Sequence, residues 1–266
     1  MKTRFFNEFL YQVFSLIISV IVVHAVYVIS IRPRATEILA AQALRMQQEV
    51  GYTPERSIFV LVRDFEQEAC FILMLWAFAI MAYKAYSAIR ERSLLQRDLL
   101  HVREGVRILP EDTREYARSL QSLPERLRNL LLPRVLLAAL ERFGSTRNVQ
   151  DVSSVANSLC EAEGDRLESE LAMIRYIAWA IPSIGFIGTV RGIGQALGEA
   201  HKAVEGDIAG VTENLGIAFN STFVALVISI VVMFLVHQLQ LLQERLVFDS
   251  QTYVDHNLIR HMQTRD

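Results

Sequence analysis

The sequence predicts an all-α, polytopic membrane protein with four transmembrane helices and a helical cytoplasmic bundle, and three observations carry that expectation. Apolar residues make up 52% of the 266 positions, and mean hydropathy is positive. They gather into four runs near 9–31, 69–89, 172–197 and 214–242, each long enough to span ~30 Å of hydrocarbon at ~1.5 Å per residue. Between the second and third runs, charges of both signs alternate on helical spacing, the pattern of a solvated helix face. The 27 basic and 29 acidic residues nearly cancel, and no basic groove interleaved with aromatics points to nucleic acid.

Taken in order, residues 1–90 form an N-terminal pair of spans joined by an outer loop. The first run is too long for a signal-peptide core and ends at Arg32-Pro33-Arg34 without a small-residue cleavage site, so it is read as a retained span. Residues 91–165 form a cytoplasmic helical loop. Leu94, Leu95, Leu99, Val102 and Val106 fall at helical spacing, Pro110, Pro124 and Pro133 punctuate the middle of the loop, and Val135–Phe143 makes a short apolar-faced helix. Residues 166–245 hold the last two spans, and 246–266 a cytoplasmic C-terminal helix. The pattern runs without a proline from Val149 to Pro182, and past Gln243 to Ile259, so both spans extend out of the membrane. The resulting bundle either braces the assembly or passes work to another protein. No low-complexity tract or internal repeat interrupts this layout.

Fifteen Arg and Lys residues lie from Lys84 to Arg175, whereas the 198–213 loop has Lys202 alone. Basic loops stay cytoplasmic, so the long loop is inside, the short one outside, and four crossings put both termini in the cytoplasm. Lys2 and Arg4 face Arg32 and Arg34 across the first span, so parity and not local charge orients it. Cys70 and Cys160 then fall on opposite sides, cannot pair, and read as small apolar residues; no metal-ligand spacing appears.

The third run is not a plain Leu/Ile/Val span. Pro182, Gly185, Thr189, Gly192 and Ala196 share a helix face, and in the fourth run Ala218, Thr222, Ala225 and Ser229 do the same. Such a stripe lets another backbone approach closely. Each stripe is either a packing seam (Gly185, Gly188, Gly192, Ala218, Ala225) or one wall of a polar conduit centred on Thr189 and Thr222, with Asn220, Ser221 and Ser229 extending the lining. Pro182 frees the carbonyl of Ala178.

The four apolar cores contain no Asp or Glu; Glu8 and Glu68 sit at span entrances. Threonine hydroxyls hold water or coordinate a cation but do not titrate near neutrality. A proton-driven machine built on this chain therefore needs an acid from another chain. Arg191 lies roughly 200° around the helix from Thr189, and is either a structural charge, snorkelling or paired with Glu199 or Asp207, or a gate. His24 in the first span is expected to be satisfied by a neighbouring hydroxyl or carbonyl, with a proton-relay role as the alternative. Tyr83 and Lys84 read as interfacial anchors.

The segments Pro182-Ser183-Ile184-Gly185-Phe186-Ile187-Gly188-Thr189-Val190-Arg191-Gly192-Ile193 and Ala218-Phe219-Asn220-Ser221-Thr222-Phe223-Val224-Ala225-Leu226 resemble the two signature helices of the MotA/TolQ/ExbB ion-channel family. The resemblance covers roughly 165–245. It implies a five-fold ring of this subunit in a bacterial inner membrane around two copies of an ExbD/TolR/MotB-like partner. That partner has one membrane helix with an intramembrane aspartate, which Thr189 and Thr222 would face. Flow of H⁺ or Na⁺ would drive motion, with no enzymatic activity and no cofactor beyond the transported ion. Arg191 stands where the transport branch has an aromatic residue, Ala225 replaces a motif glycine, and Ile217 takes the place of a family glutamate, with Glu213 one turn earlier. The alternative from another class is a membrane scaffold that recruits a cytoplasmic effector without conducting ions.

Overall fold

The computed structural model describes residues 2–48, 57–100, 102 and 106–263, without the side chains of 2–5, 7 and 47. The described residues are helical throughout apart from loops and one isolated parallel bridge between Ile108 and Met262. In order these are α1 (Lys2–Val26), a π-helical turn (Tyr27–Ile31), α2 (Arg32–Gln48), α3 (Ile58–Leu61), α4 (Phe65–Arg92), α5 (Thr113–Gln121), α6 (Glu125–Arg128), α7 (Leu131–Thr146), α8 (Val149–Glu170), α9 (Ala172–Gly198), α10 (Ala200–Val204) and α11 (Ala209–Asn257). Four helical stretches, Glu8–Met46, Phe65–Gln96, Val149–Gly198 and Ala209–His261, are long and apolar enough to cross a membrane. The protein is an all-α, multi-pass membrane protein.

Two compact units emerge, 1–82 with 173–236 and 83–172 with 237–266. The first is a four-helix unit with apolar side chains outward: Ile21, Ile29, Phe186 and Ile230 are all exposed, the arrangement that hydrocarbon solvent selects. Its helices are tied by polar groups reaching main-chain carbonyls. Trp76 Nε1 donates to Gln12 O at 2.9 Å and Tyr11 Oη to Ala79 O at 3.0 Å, joining α1 to α4. Ser15 and Ser19 return their hydroxyl protons to the carbonyls of Gln12 and Ser15, a common way to satisfy hydroxyls in apolar surroundings.

The first helix does not stop at Arg32-Pro33-Arg34 as expected; it continues through Gln48. Pro33 has no N–H and its ring crowds the preceding turn of a regular helix. The π turn, in which Arg32 N–H reaches back five residues to Tyr27 O, widens the backbone where the ring needs room.

The second unit has a conventional core. Leu132, Val135, Leu136, Leu140 and Phe143 of α7 pack with Val152, Ala156 and Cys160 of α8 and with Leu120 of α5. α7 ends at Arg147 in the left-handed region (φ 53°), and the next residue, Asn148, caps α8 by accepting from Gln150 N at 2.9 Å. Residues 97–100 depart from the helical expectation. α4 ends at Arg92, a short 3₁₀ turn comes next, and Arg97 is extended. The Tyr253 hydroxyl explains the departure: it donates to Arg97 O and accepts from Leu99 N, both at 3.1 Å. Main-chain groups that a helix would have satisfied are met by α11, which frees Leu99 and Leu100 to enter the core. Val102 packs against that core and Val106 is exposed; 101 and 103–105 lie outside the described residues.

Charges inside this unit are paired in a chain. Lys84, only 4% exposed, reaches Glu170 at 2.9 Å, so it is a buried ion-pair member and not a surface anchor. Arg166 bridges Glu170, at 2.9 Å, and Glu163; Glu163 also takes Arg134 at 2.7 Å. Removing one member of such a set leaves an undercompensated charge. Arg166→Ala is expected to destabilise this unit by about 2 kcal/mol, with Arg166→Lys costing less than half of that. Denaturant unfolding in detergent checks both.

Candidate functional site

The seam between α9 and α11 is built where their small residues coincide. A Cβ on Gly185 would overlap the Ala225 Cβ, one on Gly188 would lie 2.6 Å from Ser221 Cβ, and one on Gly192 2.8 Å from both Ala218 N and Asn214 O. No side chain fits at those distances, so the two backbones approach as closely as glycine allows. Gly185, Gly188, Gly192, Ala218 and Ala225 are thus brought together within one chain. Pro182 stands inside α9, and the carbonyl it frees, Ala178 O, accepts the Ser229 hydroxyl proton at 3.2 Å. The helix passes its proline because the opposite helix supplies the missing donor.

This approach brings the two motif threonines into contact. Thr189 Oγ1 and Thr222 Oγ1 are hydrogen-bonded to each other, with Ala218 O 3.1 Å from Thr189 Oγ1 and Gly185 O 3.2 Å from Thr222 Oγ1. Each hydroxyl has one proton to give and lone pairs to receive. With one proton lying between the two oxygens and the other given to a carbonyl, the remaining lone pairs can accept from water or meet a cation. Both threonines are half-buried, so the pair keeps some open surface. The other polar residues fall elsewhere. Ser221 is buried, donates to Ile217 O at 2.9 Å and accepts from Gln67 Nε2 at 3.4 Å, so it faces α4. Ser229 is spent on Ala178 O. Asn220 lies two positions before Thr222, roughly 200° around the helix from it.

A second cluster was not foreseen from the sequence. Arg191 pairs with neither Glu199 nor Asp207. Glu199 lies just past the end of α9 and is taken by Lys202 at 2.6 Å. The Arg191 guanidinium instead meets Glu66 of α4, Nε to Oε1 at 2.7 Å and Nη2 to Oε2 at 2.7 Å. Arg63 meets Glu213 at 2.9 Å. Glu68, placed at a span entrance by sequence, is buried and holds two side chains of the first helix: His24 Nδ1 at 2.7 Å and Arg32 Nη2 at 2.5 Å. His24 is therefore satisfied by a carboxylate and not by a hydroxyl or carbonyl. In an unbroken α-helix residues 24 and 32 would be about 80° apart; the π turn between them takes up part of that angle. The available signal was Arg63-Asp64-Phe65-Glu66-Gln67-Glu68, a charged hexapeptide opening an apolar run. Charges so close to hydrocarbon must find counter-ions on neighbouring helices.

Four helices long and apolar enough to cross a membrane, two of them locked through a threonine pair and flanked by paired charges, make up a multi-pass membrane protein. Residues 128–251, from α7 through most of α11 and including both signature helices, match the family model of the MotA/TolQ/ExbB proton channel family. That family is one of channel subunits and not of enzymes. No curated protein and no solved structure gives a match.

The seam makes a sharp prediction. Gly192→Ala presses a methyl against backbone atoms of α11 and is expected to cost about 1–3 kcal/mol. Gly194→Ala, whose Cβ meets nothing within 4 Å, is expected to be neutral or to gain up to ~1 kcal/mol of helix propensity. Thermal unfolding of the two variants in the same detergent compares them directly.

Proposed function

We propose that this chain is the channel-forming subunit of an ion-driven, stator-like motor, and that protons pass along the open surface of the Thr189–Thr222 pair. The observation that carries the reading is the contact itself: the motif threonines, 33 residues apart in sequence, are joined hydroxyl to hydroxyl. Such a pair holds water or a hydrated proton but does not titrate. The acid that accepts the proton within the membrane is assigned to a single-helix partner bearing an aspartate. The membrane is assigned as a bacterial inner membrane with both termini cytoplasmic, and the subunit as one of five in a ring. The basic segment between the second and third spans and the family match support these assignments. Ser229 and Ser221 serve helix packing in this reading, and the Arg191–Glu66 pair fixes α4 against the seam.

The test is proton flux into proteoliposomes holding this chain and the single-helix partner under an imposed pH gradient. Flux that needs both chains, falls at least ~100-fold in Thr222→Val or Thr189→Val, and leaves the complex intact by size is the expected outcome, a loss of ~2.7 kcal/mol in barrier terms. Undiminished flux in both variants removes the threonines from the path. An intact complex without flux in either H⁺ or Na⁺ gradients favours a scaffold. Flux only with Na⁺ reassigns the ion.

A further inference from the structure

Beside the Glu68–Arg32 pair, the segment before α4 and its first turn meet Arg191 and Glu213, so that three further carboxylates and two guanidiniums gather at one end of the four-helix unit. Glu66 is matched by Arg191 and Glu213 by Arg63. Asp64 is the carboxylate left over. Its Oδ1 lies 3.7 Å from Arg63 Nε, and its Oδ2 is buried with no hydrogen-bond partner among the described residues. Three positions on, Gln67 is 0% exposed. Its amide nitrogen donates to Leu61 O at 3.2 Å and to Ser221 Oγ at 3.4 Å, folding it beneath the segment that carries Asp64. The Gln67 Oε1 is then also buried without a partner among the described residues.

Two buried acceptor oxygens on one turn therefore lack a donor. An ionised carboxylate oxygen in that position is costly, and the cluster as a whole carries one surplus negative charge. A single proton removes both costs: it neutralises the surplus and turns Asp64 from an acceptor into a donor. A metal cation meets the charge but would have to share the space with the Arg63 and Arg191 guanidiniums. We infer that Asp64, the carboxyl of this cluster whose Oδ2 is buried without a partner among the described residues, is a proton-binding group of this chain.

The surroundings agree. Burial pushes the Asp64 carboxyl above the usual range; Arg63 and Arg191 pull it down, and Glu66 and Glu213 push it further up. From the remaining elements, Tyr27 of the first helix lies within electrostatic range of it, its hydroxyl also buried without a partner among the described residues, and Glu68 N–H bonds the Asp64 carbonyl at 3.1 Å. Arg191 stands two residues from Thr189, and the Glu66 Cγ lies 3.0 Å from where a Gly188 Cβ would be. The site therefore adjoins the motif helices. Its purpose, loading protons onto the threonine path from within this chain, rests on the ion-conduction reading; its titration does not.

The experiment is carboxyl-carbon NMR of the full chain in nanodiscs, with aspartate labelled at the side-chain carboxyl, titrated in sodium-free and in high-sodium buffer. The expected result is one aspartate signal that is absent from Asp64→Asn, takes up its proton at a higher pH than the other aspartates, and ignores sodium. Asp64→Glu, which removes the same aspartate signal but keeps a carboxylate, assigns it should the asparagine variant fail to fold. A signal that titrates together with the exposed aspartates overturns the inference. A midpoint that falls as sodium rises overturns it too, by showing a competing cation. No partner and no flux enter this measurement, so its failure and that of the flux assay are separate.

Discussion

The close approach of α9 and α11 is the constraint on which the membrane unit depends. Three glycines on one helix meet Ala225, Ser221 and Ala218 on the other at distances that exclude any side chain. In hydrocarbon no water is displaced when helices pack, so close van der Waals contact and hydrogen bonds between helices must supply the association. The glycines supply the first. The hydrogen bonds arise from the same proximity: only at this separation can Thr189 reach Ala218 O, Thr222 reach Gly185 O and Ser229 reach Ala178 O. The Ser229 contact also lets α9 keep Pro182 without stranding a carbonyl. Packing and polarity thus come from one geometric fact, and the threonine pair is its consequence.

The charged residues in and beside the spans obey a different constraint. Each ion near hydrocarbon needs a counter-ion, and here most lie on another helix: Glu66 with Arg191, Glu68 with His24 and Arg32, Arg63 with Glu213. Arg32 also lies over the Phe65 ring, 4.5 Å from its centroid, a cation–π contact that further fixes the first helix. The rule that buried charges come paired gives Asp64 its interest, since Arg63, 3.7 Å from it, is held more closely by Glu213. In the second unit the same rule is met by the run Lys84, Glu170, Arg166, Glu163 and Arg134 around an otherwise apolar core. Salt bridges of this kind add little net stability over a well-packed apolar alternative, yet removing one partner is expensive. They favour a particular register of helices.

Much was legible in the sequence because it depends on the chain's own periodicity and composition. Apolar run length fixed the number of spans, and the uninterrupted patterns after Val149 and past Gln243 fixed the long helices α8 and α11. The stripes of small residues at helical spacing, with Thr189 and Thr222 at their centres, were likewise readable, since a helix face is a property of one segment. Periodicity failed where tertiary contacts overrode it. Leu94, Leu95 and Leu99 carry helical spacing, yet Tyr253 draws residues 97–99 out of helix, and Pro33 ends nothing because a π turn makes room for it.

What only the tertiary structure decided is which groups from different helices meet. Nothing local tells Arg191 to choose Glu66, 125 residues away, over the acids that come after it in its own segment, or tells His24 to choose Glu68. The physical reason is that pairing energy depends on distance and desolvation in three dimensions, neither of which is encoded in sequence separation. The sequence determined that this chain forms apolar helices with glycine and threonine on chosen faces. The packing determined that two threonines touch, that the charges at one end of the unit close into pairs, and that Asp64 is the one left over.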